Sequence, residues 1–317
     1  MSNQPSIDKP VLALVGPTAI GKTALSLLLA ERFNGEIISV DSMQVYRFMD
    51  IGTAKVSPEE RAKIPHHLID VVDPDAEYDA ASFVHDAFRA IEDIHHRGKI
   101  PLLTGGTGLY LRSLIEGLFS EIGHFPEIRD RLQQRLLADG PHKLHEELSI
   151  IDRSSAIRIS ANDSHRLIRA LEIYQGTGKP WSEHIADHQL LKKSRFSNLL
   201  QIGLTCDRKL LYHRIDLRTR LMLQNGFERE VRDLLTQGYG PELKSMQSIG
   251  YRHMNNYINK LWDMAETERI LARDTRHYAK RQYTWFNGIA DLNWHDIQDQ
   301  DLILDKIEQW LNRSLNK

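Results

Sequence analysis

Eight consecutive residues, Gly16, Pro17, Thr18, Ala19, Ile20, Gly21, Lys22 and Thr23, carry the densest chemical signal in the chain. Their spacing is G-x-x-x-x-G-K-[ST], a glycine-rich loop whose backbone N–H groups and following helix dipole can surround phosphate oxygens. Lys22 can neutralise phosphate charge, and the Thr23 hydroxyl can help bind Mg²⁺. A glycine-rich turn can arise by accident, but here motif and context agree: an apolar run, residues 11–15, precedes the loop and a helix-like stretch, 22–33, follows it. The motif identifies a phosphate ligand, commonly a nucleoside triphosphate, and leaves the reaction open. A P-loop ATPase usually carries an apolar strand ending in an Asp that helps hold Mg²⁺, whereas the run at 100–103 leads into Thr104-Gly105-Gly106. Asp41 follows another apolar run, 36–40, where parallel sheets present ligand groups at strand carboxyl ends. It is a candidate base or metal contact, and also a candidate turn cap. The pairs His66-His67 and His95-His96 lack a carboxylate or third His at metal-ligand spacing, so no metal is assigned to them.

The elements that would position these groups alternate between strand and helix. Strands are expected at 11–15, 36–40, 67–72 and 100–103; Phe83, Ala87, Phe88, Ile91 and Ile94 recur near the 3.6-residue period of a helix between the last two. Such alternation implies a parallel sheet covered on both faces. From about Phe119 the pattern changes to charged helical segments, 126–139, 141–148 and 163–175, without convincing strands. Strand character returns at 199–205, followed by amphipathic helices at 208–237 and 266–286. The expected fold is α/β: a P-loop NTPase-like core with a parallel sheet flanked by helices, residues 10–118 and 196–317, interrupted by a mostly helical insertion at 119–195. With 317 residues, 41% apolar and 26% charged, the chain can bury a sizeable core. Its one cysteine, Cys206, excludes an intramolecular disulfide and a cysteine-cluster zinc site. No signal peptide or membrane span is expected, because the first ten residues lack a basic cluster and no apolar run approaches the roughly 18 residues that spanning requires. A cytoplasmic location is therefore expected.

Several further motifs, read together with the P-loop, resemble the bacterial tRNA dimethylallyltransferases, the IPP transferase family. They are Val40-Asp41-Ser42-Met43-Gln44-Val45-Tyr46, Asp50-Ile51-Gly52-Thr53-Ala54-Lys55, Gly105-Gly106-Thr107-Gly108-Leu109-Tyr110, Gly250-Tyr251-Arg252 and Lys280-Arg281-Gln282-Tyr283-Thr284-Trp285-Phe286. The ordered matches extend across nearly the whole chain. Two departures are local: Phe48 stands where the family frequently has Gly, and Asn287 where a basic residue is frequent. The resemblance implies transfer of a dimethylallyl group from dimethylallyl diphosphate to N6 of the adenosine on the 3' side of the tRNA anticodon. It implies that the P-loop and Arg218 hold diphosphate with Mg²⁺, that Asp41 accepts the N6 proton, and that Thr107 touches the RNA near the reacting groups. For Arg218 a solvated helix face, and for Thr107 a helix N-cap, are the plain readings without the resemblance.

The resemblance further implies contacts to the tRNA anticodon stem-loop from Asp41, Ser42, Met43 and Gln44, from Arg129, and from His165, Arg166, Leu167, Ile168 and Arg169. It adds Gln247, Ser248, Ile249, Gly250, Tyr251 and Arg252, and Lys280, Arg281, Gln282, Tyr283, Thr284, Trp285, Phe286 and Asn287. One chain can hold the complete site, and no obligate protein partner or membrane is implied. The formal charge of −2 disfavours a uniformly basic nucleic-acid binder. Locally, however, residues 269–281 contain five basic side chains and one acidic, and Arg269, Arg273, Arg276 and Lys280 fall along one helix face that could meet phosphates. Tyr278, Tyr283, Trp285 and Phe286 are interleaved nearby and can stack on bases, although Trp285 at helical spacing reads first as packing. A small-molecule P-loop kinase remains an alternative, and would consume ATP without RNA. A GTPase would need an Asn-Lys-x-Asp motif, which is absent.

Overall fold

A computed structural model describes residues 7–117, 122–190 and 195–315. The short runs rich in Val, Ile and Leu form strands β1 (Val11–Val15), β2 (Gly35–Val40), β4 (Ile100–Gly105) and β5 (Leu199–Thr205). Two edge strands, β3 (His66–His67) and β6 (Asn293–Asp296), complete a parallel sheet of order β3-β2-β4-β1-β5-β6. Every residue of β1 and β2 is buried, as expected of central strands covered on both faces. The helices of this unit are α1 (Lys22–Arg32), α2 (Pro58–Lys63), α3 (Ala80–His96) and α4 (Gly108–Glu116) in its first part. After the insertion come α10 (Arg208–Gln224), α11 (Phe227–Thr236), α12 (Tyr251–Ile258), α13 (Met264–Phe286) and α14 (Gln300–Leu315).

On one face of the sheet Leu12, Leu14, Ile37, Leu102 and Ile202 pack with Leu25 and Leu29 of α1 and Ile215 of α10. Each fully buried side chain of this size contributes roughly 1.5–3 kcal/mol. A second apolar cluster joins Val45, Tyr46 and Met49, just beyond β2, to Phe227 and Val231 of α11 and Tyr251 and Met254 of α12. It ties the segment after Asp41 to the late helices.

The chain forms two compact units, one of residues 1–115 with 195–317 and the other of residues 116–194. The second unit contains α5 (Pro126–Asp139), α6 (Pro141–Ile151), α7 (Arg153–Arg158), α8 (Ser164–Thr177) and α9 (Trp181–Leu190), and no strand among the described residues. Its core consists of Leu132, Leu144, Leu148, Ala156, Ile159, Leu167, Ile168 and Leu171. The junction expected at 118–119 lies outside the described residues.

Several elements differ from the sequence expectation. The strand expected at 67–72 stops at His67, because Leu68 and Asp70 adopt positive φ angles of 60° and 57°. Asp70 is held there by Lys55 and Arg61, and Val72 makes only an isolated bridge to Tyr46. The helix expected at 208–237 is two helices, broken where Gly226 turns to φ 96° at the start of α11. Strand β6 and helix α14 were absent from the expectation; the short polar sequence of β6 is tolerated at an edge because only one side needs pairing.

Candidate active site

The P-loop links the end of β1 to α1. Gly21 caps α1 at φ 110°, a left-handed conformation that a residue with a Cβ rarely adopts. Lys22 Nζ donates to the carbonyls of Gly16 and Pro17, both at 2.8 Å. Lys22 keeps some contact with solvent, yet burial of its ammonium pushes its pKa down to about 7; Asp41 opposes this shift and Arg218 adds to it. Two distant side chains brace the loop. Arg214 donates to Ile20 O at 2.7 Å, and Gln282 accepts from Thr18 N at 2.8 Å while donating to Gly106 O at 2.9 Å.

The carboxyl ends of β2 and β4 meet this loop around a cavity of about 590 Å³. Lys22, Thr23, Asp41, Arg218, Tyr278 and Arg281 all line it. Asp41 Oδ1 accepts from the backbone N–H of Met43 at 2.9 Å and of Gln44 at 3.3 Å. The turn-cap reading is therefore correct for one oxygen, while the other makes no hydrogen bond among the described residues. Capping fixes the carboxylate and leaves an acceptor for a ligand proton. Thr107 Oγ1 accepts from Ser42 N at 3.0 Å, so the loops after β2 and β4 meet at one oxygen, while Tyr278 of α13 lines the cavity. Burial, and then the negative Asp41, push Tyr278 up to about 12 and keep it a hydroxyl. Burial also lowers Arg218, against the attraction of Asp41. The arrangement places an anion-binding end beside a fixed carboxylate.

The residues fit a hydrated divalent cation. Thr23 faces the cavity, and Thr104 Oγ1, on the strand where an ATPase would carry Asp, is buried with no hydrogen-bond partner among the described residues. Hydroxyl and carboxylate oxygens are the hard donors Mg²⁺ prefers, and a phosphate-bound Mg²⁺ uses few protein ligands. Among the described residues no group of three His, Cys, Asp or Glu side chains is placed to hold a metal ion by itself.

The family model for IPP transferase matches residues 44–288, and that for isopentenyl transferase matches 9–70. A tRNA dimethylallyltransferase of Desulfotalea psychrophila is 55% identical over 311 residues, covering 98% of both chains. One from Heliobacterium modesticaldum is 46% identical over 308 residues, covering 96% of this chain and 95% of the relative. The chain belongs to the tRNA dimethylallyltransferase family. Solved structures agree in fold: the tRNA isopentenylpyrophosphate transferase of Bacillus halodurans superposes with a TM-score of 0.71 at 39% identity, covering 98% of this chain and 99% of that one. A eukaryotic dimethylallyltransferase acting on tRNA gives 0.76 at 33% identity, covering 91% and 74%. This chain is thus a prenyltransferase on a P-loop NTPase-like fold, and the kinase alternative falls away.

Within this family member, the expected RNA-contact residues separate into different environments. Ser42, Met43, Gln44 and residues Gln247, Ser248, Ile249, Gly250, Tyr251 and Arg252 line the cavity. Along the end of α13, Lys280, Arg281, Thr284 and Asn287 are exposed, whereas Gln282 and Phe286 are buried. Gln282 spends its amide on the brace described above. Trp285 packs against Gly108, with the Arg112 guanidinium 5.8 Å from its ring centre, and Tyr283 is bonded to Thr205 at 3.1 Å. In the helical unit His165 and Arg166 are exposed, but Leu167 and Ile168 belong to the core. Arg169 bonds to Glu172 and to the carbonyls of Ile122 and Gly123, and Arg129 pairs with the same Glu172.

The cationic stripe of α13 is less bare than its spacing implied. Arg269 pairs with Glu266, Arg273 with Asp274 and Arg276 with Asp216, while Lys280 makes no ion pair among the described residues. Phe48 holds φ 65°, in the left-handed region that favours glycine. The site residues missed from the sequence are Tyr278 as part of the cavity lining, Arg214 as P-loop brace, and Thr104. Only Thr104 had a local signal, the missing strand-end Asp.

Proposed function

We propose that this chain transfers the dimethylallyl group of dimethylallyl diphosphate to N6 of the adenosine adjacent to the 3' side of the anticodon, acting on tRNA in the cytoplasm. The observation that carries this reading is the convergence of Lys22, Arg218 and Asp41 on one cavity. P-loop N–H groups, Lys22 and Arg218 hold the diphosphate and stabilise the negative charge that grows as the allylic C–O bond breaks. Thr23, with Thr104 in the same lining, would hold Mg²⁺ at the diphosphate, where the ion would supply further charge stabilisation. The electron pair of that C–O bond leaves with diphosphate, a new bond forms between C1 and adenine N6, and one N6 proton passes to Asp41. A base is needed because the N6 lone pair is delocalised into the ring. Thr107, hydrogen-bonded to Ser42, keeps the β4 loop against the acceptor side.

The target base must leave its stack to enter such a cavity. The exposed Lys280, Arg281, Thr284 and Asn287 of the core, and His165 and Arg166 of the helical unit, are suited to hold the anticodon stem-loop, whereas buried Gln282, Phe286, Leu167 and Ile168 shape the elements that present them. Incubation with labelled dimethylallyl diphosphate, Mg²⁺ and unmodified tRNA, followed by nucleoside analysis, should place the label on N6 of that adenosine. Phosphate transfer from ATP, or no label in RNA, would sink the reading.

A further inference from the structure

Neither the diphosphate end nor Asp41 itself explains the motif Asp50-Ile51-Gly52-Thr53-Ala54-Lys55. Gly52, Thr53 and Ala54 nevertheless form part of the cavity wall. Their backbone is anchored by a carboxylate some 180 residues away. Glu230 on α11 accepts at Oε2 from the N–H groups of Asp50 at 2.9 Å and Ile51 at 2.6 Å, and at Oε1 from Gly52 at 3.1 Å. The hydroxyl of Tyr251, buried on α12, donates to the same Oε1 at 2.6 Å. A Cβ on Gly52 would lie 2.4 Å from Phe227 and 2.5 Å from Tyr251, so the loop approaches both rings as closely as only glycine permits. At the other end Lys55, its side chain 1% exposed, donates to Tyr46 O at 2.6 Å and pairs with Asp50 and Asp70.

Between these anchors the loop reaches the candidate base. The carbonyls of Thr53 and Ala54 accept from Gln44 Nε2 at 3.3 and 3.5 Å, and Gln44 Oε1 accepts from Ser39 at 2.9 Å. The backbone N–H of Gln44 in turn donates to Asp41 Oδ1. We propose that Glu230 is a positioning residue: acting through the 50–54 loop and Gln44, it fixes the orientation of the Asp41 carboxylate without itself lining the cavity. Four donors converge on the two Glu230 oxygens, and an amide at this position would turn an NH₂ group against at least one N–H or O–H. The inference rests on the reading of Asp41 as proton acceptor.

Transfer kinetics with dimethylallyl diphosphate and tRNA, together with thermal melting, should be measured for the wild type, Glu230→Gln, Gln44→Met and the double variant. Misplacement of the base should lower kcat of Glu230→Gln by about 10- to 100-fold while KM for tRNA stays within about twofold. The double variant should be scarcely slower than the worse single one, because both changes break the same line of support. Unchanged kcat per folded molecule, or losses that multiply independently, would overturn the proposal. Should Glu230→Gln fold poorly, Tyr251→Phe removes one of the four donors and should lower kcat about threefold or more with the same non-additivity toward Gln44→Met. Absence of transfer by the wild type would overturn the functional reading and this inference with it; wild-type transfer matched by Glu230→Gln would overturn the inference alone.

Discussion

Strand β2 carries a carboxylate near each end, and the two live in opposite surroundings. At the amino end Glu36, its side chain 3% exposed, is met by Arg97 at 2.7 Å, Lys99 at 3.0 Å and His67 at 2.7 Å. Burial alone would raise its pKa, but hydrogen bonds from Arg97, His67 and Lys99 overcome that and hold it at about 2. At the carboxyl end Asp41 shares a cavity with Lys22 and Arg218 and among the described residues bonds only to backbone N–H groups, while burial brings the Lys22 pKa down to about 7. The first carboxylate has its charge spent inside the fold. The second is fixed by its turn through one oxygen and, under the proposed function, keeps the other for the N6 proton beside cations that would meet a diphosphate.

That contrast predicts separable failures. Asp41→Asn keeps a side-chain oxygen to cap Met43 and Gln44, so the turn should survive while transfer slows by about 10²–10⁴-fold in single-turnover assays. A rate near wild type would reduce Asp41 to a turn cap. Glu36→Gln should instead lower stability by about 2–3 kcal/mol at neutral pH, read by denaturant or thermal unfolding, with kcat of the folded protein unchanged. Because the folded pKa of Glu36 lies below its unfolded value, its stabilisation is complete above about pH 4.5 and is lost as pH falls toward 2. The gap between wild type and Glu36→Gln should therefore narrow in acid; a constant gap would mean that packing, not charge, is what the substitution removes.

Smaller effects sharpen the carboxyl end. Gln282→Leu strands Thr18 N and Gly106 O and should raise KM for dimethylallyl diphosphate several-fold, with about 1–3 kcal/mol of lost stability. An unchanged KM would show that the brace does not set the P-loop. Smallest is the response of the α13 stripe: Lys280→Ala should lower the salt dependence of tRNA binding by about one unit of slope, while Arg276→Ala, already paired with Asp216, should leave it nearly unchanged. Equal slopes for the two variants would restore the stripe as a uniform phosphate track.

What was legible in the sequence follows the same division. Gly16 to Thr23 could be read directly because a phosphate cradle needs its groups adjacent in the chain, and β1, β2, β4 and β5 because buried parallel strands need continuous apolar runs. The pairing of Arg276 with Asp216 and the grip of Glu230 on residues 50–52 could not, since their partners lie on other elements and leave no spacing behind. The truncation of β3 was hidden for a related reason. Its apolar residues suit a strand, but Lys55 and Arg61 hold Asp70 in a turn. Gln282 and Phe286 sat within a motif shared with RNA-modifying relatives, and only the packing separates brace from exposed contact.

The most direct measurement sets Asp41→Asn beside Glu36→Gln in one experiment that reads single-turnover dimethylallyl transfer to tRNA and thermal stability on the same samples. The account predicts a crossed result: Asp41→Asn loses rate by about 10²-fold or more and melts close to wild type, whereas Glu36→Gln melts lower and transfers at the wild-type rate when folded. Parallel losses in both variants, or full transfer by Asp41→Asn, would contradict it.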